Sequence, residues 1–448
     1  MSKNQNKVHL IAIGGVVMHS LAIAMKEKGF EVSGSDDQIF DPSKSNLAKH
    51  SILPETGWNT DKITEDLGAV ILGMHAKAAN PELEKAKALG LNIFSYPEYI
   101  FEQSKHKQRI VIGGSHGKTT ITAMIMHVLK FLNRDFDYLV GSHVSGFDNM
   151  VKLTDAPIII IEGDEYLTSP IDRTPKFLHY HAHIALISGI AWDHMNVFPT
   201  EEGYVTEFEK FADALPKSGS FIYYDEDPLT TLIGNKDRED VKKYKYTTLN
   251  HEIVDGITHL ITDGRKIPLK IFGKHNMQNL AGAKEVLAKI GVMEDKFYDA
   301  IQSFEGAAKR LEVIKQDENS AIYKDFAHAP SKVKATVNAV KEQSNRDLIA
   351  CFELHTFSSL NKEFLPQFAN SLDKADTAII YYDPATSSHK GLEVLDGNTI
   401  KSAFNNDTVK VFTDSTELVN FIDSLGIENK SLLMMSSGNF GGIDFDKL

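Results

Sequence analysis

Three successive α/β domains are what this sequence predicts, and three observations predict them. Short apolar strands alternate with amphipathic helices, the pattern restarts after a polar linker at Ser104–Gln108, and a second boundary falls around Glu305–Arg310. Strands alternating with helices imply right-handed βαβ units and parallel sheets. The boundaries are placed at 1–107, 108–306 and 307–448. At roughly 100–200 residues per domain, the length suffices for about three cores.

In the first segment His9–Ile13 reads as a strand, Met18–Lys28 as a helix, and Glu31–Ser33 as a second strand ending at Gly34-Ser35-Asp36. Ala69–Gly73 is another strand, Pro81–Ala88 a helix opened by proline, and Leu91–Phe94 a further strand. The second segment opens with the strand Arg109–Ile112, followed by a glycine-rich turn and the helix Ile121–Phe131. Pro157–Ile161 is a continuous apolar run, as a central parallel strand buried on both faces should be, and Ile184–Ile187 is another. Lys236–Tyr246 carries both charge signs and reads as a solvated surface segment. In the third segment Ala321–Tyr323, Asp347–Phe352, Thr377–Tyr381 and Leu432–Met435 read as strands separated by helices.

Composition narrows the function classes. With 42% hydrophobic and 24% charged residues, the chain is neither disordered nor fibrous. Its net charge of −13 argues against nucleic acid or an anionic membrane surface as the main partner, though not against a small anion held by a local nest of donors. A single cysteine, Cys351, excludes an internal disulfide. Val8–Met18 is interrupted by Gly14 and Gly15 and lacks a cleavage site, so it reads as a buried strand rather than a signal peptide. No run of about 18 apolar residues occurs, and a cytoplasmic protein is expected.

The strongest chemical signal is Gly113-Gly114-Ser115-His116-Gly117-Lys118-Thr119-Thr120, set between a buried strand and a helix. Such a turn exposes backbone N–H groups and the positive end of a helix dipole to phosphates. Lys118 would reach the β/γ-phosphates and Thr119 would ligate Mg²⁺. The strict G-x-x-x-x-G-K-[ST] pattern fails by one residue, because Ile112 stands where glycine is wanted. Glu162-Gly163-Asp164-Glu165 follows the apolar run, at the strand end where ligands of open α/β sheets bind, and offers oxygen ligands that suit Mg²⁺. Trp192-Asp193-His194 follows another strand and makes His194 a candidate metal or phosphate contact.

Three further stretches carry weaker signals. Gly14-Gly15 and Gly34–Asp36 fit a nucleotide-binding turn and a plain strand–helix turn alike, since Ala12, His19 and Ser20 depart from a glycine fingerprint. Asn276 and Asn279 share a face ahead of an alanine-rich helix, as a cap or as ligands. Tyr323–Pro330 ends a strand with Asp325 and His328, again as a cap or as a contribution to a ligand on the second domain.

Taken in order, these stretches resemble the Mur ligase family of ATP-dependent amide-bond-forming enzymes over essentially the full length. Gly114–Thr120 is similar to the family's G-T-x-G-K-T-T loop, which accounts for Ile112. Glu162–Tyr166, Trp192–His194, Gly273–Asn279, Lys309-Arg310-Leu311-Glu312 and Asp325–Pro330 follow in the family's order. The resemblance implies a three-domain architecture: an N-terminal Rossmann-like donor domain, a central P-loop ATPase domain and a C-terminal Rossmann-like acceptor domain. It implies ATP and Mg²⁺ as cofactors, with Lys118, Glu162, His194 and Arg310 catalytic. Thr119, Glu162 and His194 would hold metal, and Gly114–Thr120, Asn276, Asn279, Arg310 and Asp325 would hold ATP. Gly14, Gly15, Ser35, Asp36, His75, His328 and His355 would bind substrates.

The implied partners are UDP-N-acetylmuramate and an amino-acid or peptide acceptor, with a monomer or weak homo-oligomer expected. Asp172–Phe177 with His179-Tyr180, and the ending Met435–Ile443, resemble the peptidoglycan-recycling branch, which joins that donor to L-alanyl-γ-D-glutamyl-meso-diaminopimelate. The biosynthetic branch that takes L-alanine is the alternative. Glu353-Leu354-His355-Thr356-Phe357 lacks an arginine usual in the family, and neither Glu209 nor Lys210 is assigned the role of the carbamylated lysine found in other branches. A non-catalytic nucleotide-binding regulator is disfavoured because Lys118, Thr119, Glu162 and His194 are all present together. A dehydrogenase is disfavoured because the glycine pattern is wrong.

Overall fold

The computed structural model describes residues 4–308 and 310–445; Lys309, within the family-like Lys309–Glu312 run, lies outside the described residues. Its first sheet is wholly parallel, with β1 (Asn4–Ile11), β2 (Glu31–Ser35), β3 (Leu67–Leu72) and β4 (Ile93–Ser95) in the order β2-β1-β3-β4. β1 begins five residues before the predicted strand, because polar Asn4 and Lys7 pair with Leu67 and Glu31 on its neighbours. Hydropathy does not mark such a polar strand entry.

The second sheet has the order β11-β10-β9-β5-β8-β6-β7. Its strands are β5 (Gln108–Gly113), β6 (Asp137–Leu139), β7 (Val151–Lys152), β8 (Ile158–Glu162), β9 (Ile184–Ile187), β10 (Ser220–Tyr224) and β11 (Lys242–Tyr246). Only β7 runs antiparallel to its neighbour. The apolar runs predicted as central strands are central and covered on both faces. Val111, Ile159 and Ile161 pack with Phe177, Phe208 and Phe211 on one side. Ile110, Ile112 and Ile160 pack with Met124 and Leu280 on the other. Alternation of neighbouring residues between two apolar layers is what forces a continuous apolar run.

One reading of this region is corrected and one sheet is added to it. Lys236–Tyr246 is not simply a solvated segment, since its second half is the edge strand β11, with Tyr246 buried against Tyr224 at 5.4 Å between ring centroids. Lys242 and Lys245 remain exposed, and charge on an edge strand discourages pairing with another chain. The small antiparallel sheet β12 (His251–Val254), β13 (Ile257–Thr262) and β14 (Arg265–Leu269) was not anticipated at all. It turns at Asp255-Gly256 and Asp263-Gly264, all four residues at positive φ, as tight hairpins require.

The last sheet has the order β15-β16-β20-β17-β18-β19, with β15 (Glu312–Gln316), β16 (Ala321–Asp325), β17 (Asp347–Glu353), β18 (Thr377–Tyr381), β19 (Lys410–Phe412) and β20 (Lys430–Met435). All neighbours are parallel except β15 with β16. Contacts between the sheets' regions are local. Trp192 meets Phe364 edge-on at 5.5 Å, Phe272 meets Tyr323 at 5.7 Å, and Asn149 Nδ2 donates to Ser20 O at 2.9 Å. Among the described residues no helix is long and apolar enough to cross a membrane.

Candidate active site

The C-terminal ends of β5, β8, β9 and β16 lead into one cleft of about 280 Å³. From β5 the chain turns through Gly114 (φ +130°) and Gly117 (φ +80°) into the helix Lys118–Phe131. These positive φ angles explain the two glycines: a side chain there is strained, and a Cβ on Gly117 would collide with Asn279 Oδ1. Lys118 Nζ donates to Gly114 O at 2.5 Å and to Glu165 Oε2 at 2.7 Å. Burial works against its charge, but Glu165, Asp164 and Glu162 outweigh burial and hold the ammonium above its ordinary range.

Thr119 Oγ1 donates to Glu162 Oε1 at 2.7 Å, and Glu162 Oε2 accepts from Gly141 N at 2.8 Å. His194 Nε2 stands 3.7 Å from Glu165 Oε1, with its ring edge-on to Tyr166. Thr119 and Glu162 thus offer two neighbouring oxygen donors of the kind Mg²⁺ takes, with His194 beside Glu165 in the same cleft. This donor set fits a magnesium ion.

The opposite wall comes from the last domain. Arg310 lies over the Phe326 ring at 4.7 Å. Asp325 lines the cleft, yet its carboxylate is committed to the loop, accepting from Leu311 N and Ala327 N at 2.7 Å each. His328 Nε2 stands 3.7 Å from Asp193 Oδ2, and burial followed by the charge of Lys332 pushes its imidazole down to about 3. His116 is likewise pushed down to about 4, by burial first and then by Lys332 and Lys118.

The cleft therefore gathers Ser115, His116, Gly117, Lys118, Thr119, Thr120, Glu162, His194, Asn276, Asn279, Arg310, Asp325 and His328, all singled out in the sequence. Gly114 sits just behind it, its carbonyl on Lys118. Asn276 Nδ2 donates to Phe272 O at 2.8 Å, so capping is part of its work, and Asn279 abuts the glycine turn itself. The remaining expected substrate residues lie elsewhere. Gly14, Gly15, Ser35, Asp36 and His75 cluster at the ends of β1, β2 and β3, where Asp36 Oδ2 accepts from Gly14 N at 2.7 Å and His75 is exposed. His355 follows β17, its Nδ1 3.7 Å from Glu353 Oε1. Lys210 pairs with Glu207 on an exposed helix face and does not line the cleft.

Sequence reasoning missed two contributors, Tyr204 and Lys332, and left a third, Gln278, without a role inside the Gly273–Asn279 run. Tyr204, on the helix Glu201–Asp213, bridges Ser115 Oγ and Glu165 Oε1 at 2.9 Å each. Gln278 Nε2 donates to Ser188 O at 2.5 Å behind the loop. Lys332 enters from the helix Pro330–Gln343. Glu165 was in view as part of an acidic run, but its pairing with Lys118 was not.

Fold and cleft define an α/β protein whose last domain supplies one wall of a cleft built on a glycine-rich strand-to-helix turn. The chain belongs to the Mur ligase family, ATP-dependent ligases. Its residues 7–108 match the family's model for the Mur ligase family, catalytic domain, residues 112–287 the Mur ligase middle domain, and residues 309–438 the Mur ligase, glutamate ligase domain. It is 32% identical over 388 residues to a UDP-N-acetylmuramate–L-alanine ligase of Caldicellulosiruptor bescii, covering 84% of this chain and 83% of that one. It is 25% identical over 447 residues to the UDP-N-acetylmuramate–L-alanyl-γ-D-glutamyl-meso-2,6-diaminoheptandioate ligase of Haemophilus influenzae, covering 97% of each. The crystal structure of the UDP-N-acetylmuramate–alanine ligase of Thermotoga maritima superposes with a TM-score of 0.72 at 20% identity, over 97% of this chain and 96% of that one, a likeness of fold.

Proposed function

We propose that the chain joins the lactyl carboxylate of UDP-N-acetylmuramate to an amine, in peptidoglycan assembly or recycling. One observation carries the proposal: Lys118, the Thr119–Glu162 pair and His194 share a single cleft with Arg310 and His328 of the last domain. A carboxylate does not react with an amine in water because its oxygen is a poor leaving group. In the proposed reaction a carboxylate oxygen attacks the γ-phosphorus of ATP, ADP leaves, and the amine displaces phosphate from the acyl phosphate through a tetrahedral intermediate. Lys118 and the loop amides would bind the β/γ-phosphates, while His194 and Arg310 would face the transferring group. Thr119 and Glu162 would hold Mg²⁺, which neutralises phosphate charge when bound. Gly14, Gly15, Ser35, Asp36 and His75 are assigned to the donor, His328 and His355 to the acceptor side, and the division 1–107, 108–306 and 307–448 to the three domains. We place the reaction in the cytoplasm, where this nucleotide-linked donor is used.

The comparisons favour L-alanine as the amine over the tripeptide ranked first from sequence, because an L-alanine ligase matches at 32% identity and a tripeptide ligase at 25%. The tripeptide reading keeps its own support in the Asp172–Tyr180 stretch and the Met435–Ile443 ending. Phosphate release with Mg-ATP and UDP-N-acetylmuramate separates the two, with L-alanine or the tripeptide as acceptor and products checked by mass. Turnover with L-alanine alone supports the first reading and turnover with the tripeptide alone the second. Silence in both overturns the ligase reaction proposed here.

A further inference from the structure

Lys332 stands where a lysine has little reason to be. It lies in the first turn of the helix Pro330–Gln343, where the helix dipole opposes a positive charge. Its side chain is 22% exposed and faces the same cleft as Lys118, Arg310 and His328. Lys118, Arg310 and Lys332 thus bring three cations to a cleft that also holds the carboxylates Glu162, Glu165 and Asp325.

Asp193 pairs with this cation by charge but takes no hydrogen bond from it. Lys332 Nζ lies 3.6 Å from Asp193 Oδ2, beyond hydrogen-bond distance, and Asp193 Oδ2 is itself buried without a hydrogen-bond partner. Among the described residues Lys332 Nζ donates no hydrogen bond. Burial pushes its ammonium below the ordinary lysine range, and Lys118 and Arg310 push the same way against Asp193 and Glu165. An ammonium with unspent donors, opposite a phosphate loop, has the chemistry to bind phosphoryl oxygens.

We propose that Lys332 is a catalytic cation supplied by the last domain, contacting the γ-phosphoryl group of ATP as it transfers. The inference rests on the ligase reading above. In the step concerned, a donor carboxylate oxygen forms a bond to the γ-phosphorus while the bond from that phosphorus to the β–γ bridging oxygen breaks, its electron pair leaving with ADP. No proton moves, and Lys332 stays an ammonium throughout. Its role is to neutralise charge on the three non-bridging oxygens, which ADP lacks. The Asp193 carboxylate would hold the ammonium in place.

The test compares the full-length wild type with Lys332→Met and Lys332→Arg. Binding of Mg-ADP and of a non-hydrolysable Mg-ATP analogue is measured by calorimetry, and phosphate release is measured in parallel. Lys332→Met should weaken the ATP analogue at least tenfold, change ADP by less than twofold, and slow phosphate release by about a hundredfold. Lys332→Arg should recover most of the analogue affinity, since it restores the charge. Equal weakening of both nucleotides, or of neither, overturns the inference in favour of a purely structural lysine. A wild type that binds both nucleotides with the γ-specific loss in Lys332→Met, yet joins no donor to an amine, sinks the ligase reading and leaves the Lys332 contact standing. A wild type that binds neither nucleotide overturns both.

Discussion

Lys118 has two partners within the protein, Gly114 O and Glu165 Oε2, so in the proposed reaction a phosphate would meet an ammonium whose position is already set. Lys118→Ala is expected to cut phosphate release by on the order of 10²–10³-fold. It should also lower the thermal midpoint, because Glu165, with its side chain 1% exposed, is left without its cation. The double variant Lys118→Ala/Glu165→Gln should recover the midpoint but not the activity, which separates the two roles of the pair. A midpoint that does not recover would place the destabilisation elsewhere. Tyr204→Phe leaves Ser115 Oγ and Glu165 Oε1 each short of a partner, at a cost of about 1–3 kcal/mol in urea unfolding. An unchanged unfolding midpoint would show that the bridge contributes nothing to stability. These two residues also mark what the sequence could reveal. Lys118, Thr119, Glu162 and His194 announce themselves through runs at strand ends. Tyr204 buttresses the loop from 89 positions away, and one tyrosine on an amphipathic helix carries no local pattern.

At the scale of elements, the cleft exists because two helices from different domains approach closely. Gly273, with φ +88°, opens the helix Lys274–Lys289, and a Cβ there would come within 2.5 Å of Ala339 Cβ on Pro330–Gln343. Gly273→Ala is therefore expected to lower stability by about 1–3 kcal/mol, through both the strained backbone and the clash. Adding Ala339→Gly should relieve only the clash, so the urea midpoint should recover in part. Full recovery would show that the backbone at 273 carries no strain. Strand identity in the parallel sheets was legible because buried strands read as apolar runs. The antiparallel β12–β14 sheet was missed for a different reason. Its Asp-Gly turns were visible, but β13 and β14 show no regular polar–apolar alternation and bury only a few side chains, among them Leu260, Ile267 and Leu269. Lys332 escaped notice similarly, since a lysine early in a helix looks like a solvent-facing residue until the neighbouring domain is in place.

At the scale of the whole molecule, burial of imidazoles in and around the cleft links stability to pH. His116 is pushed down from an ordinary 6.5 to about 4, and His328 to about 3, by burial first and then by Lys332. His19, His127, His183 and His275, buried or part-buried, are shifted the same way. Each is a base whose folded form resists protonation that the unfolded chain accepts. Their contribution is therefore fully present above about pH 6.5 and is lost as pH falls towards each folded value. The buried carboxylate of Asp193 and the part-exposed one of Asp164, held low against the cost of desolvation chiefly by Lys332 and Lys176 respectively, add a second loss only at more acid pH, below the ordinary carboxylate range. The two windows can be separated experimentally. Between pH 7 and pH 5 the thermal midpoint should fall, and His116→Asn should lessen that fall by an amount on the order of 1 kcal/mol in stability. The difference between variant and wild type should vanish again above pH 7, apart from a constant offset. If His116→Asn falls as steeply as the wild type, this imidazole takes up its proton freely in the folded protein, and burial beside Lys332 and Lys118 does not set its charge.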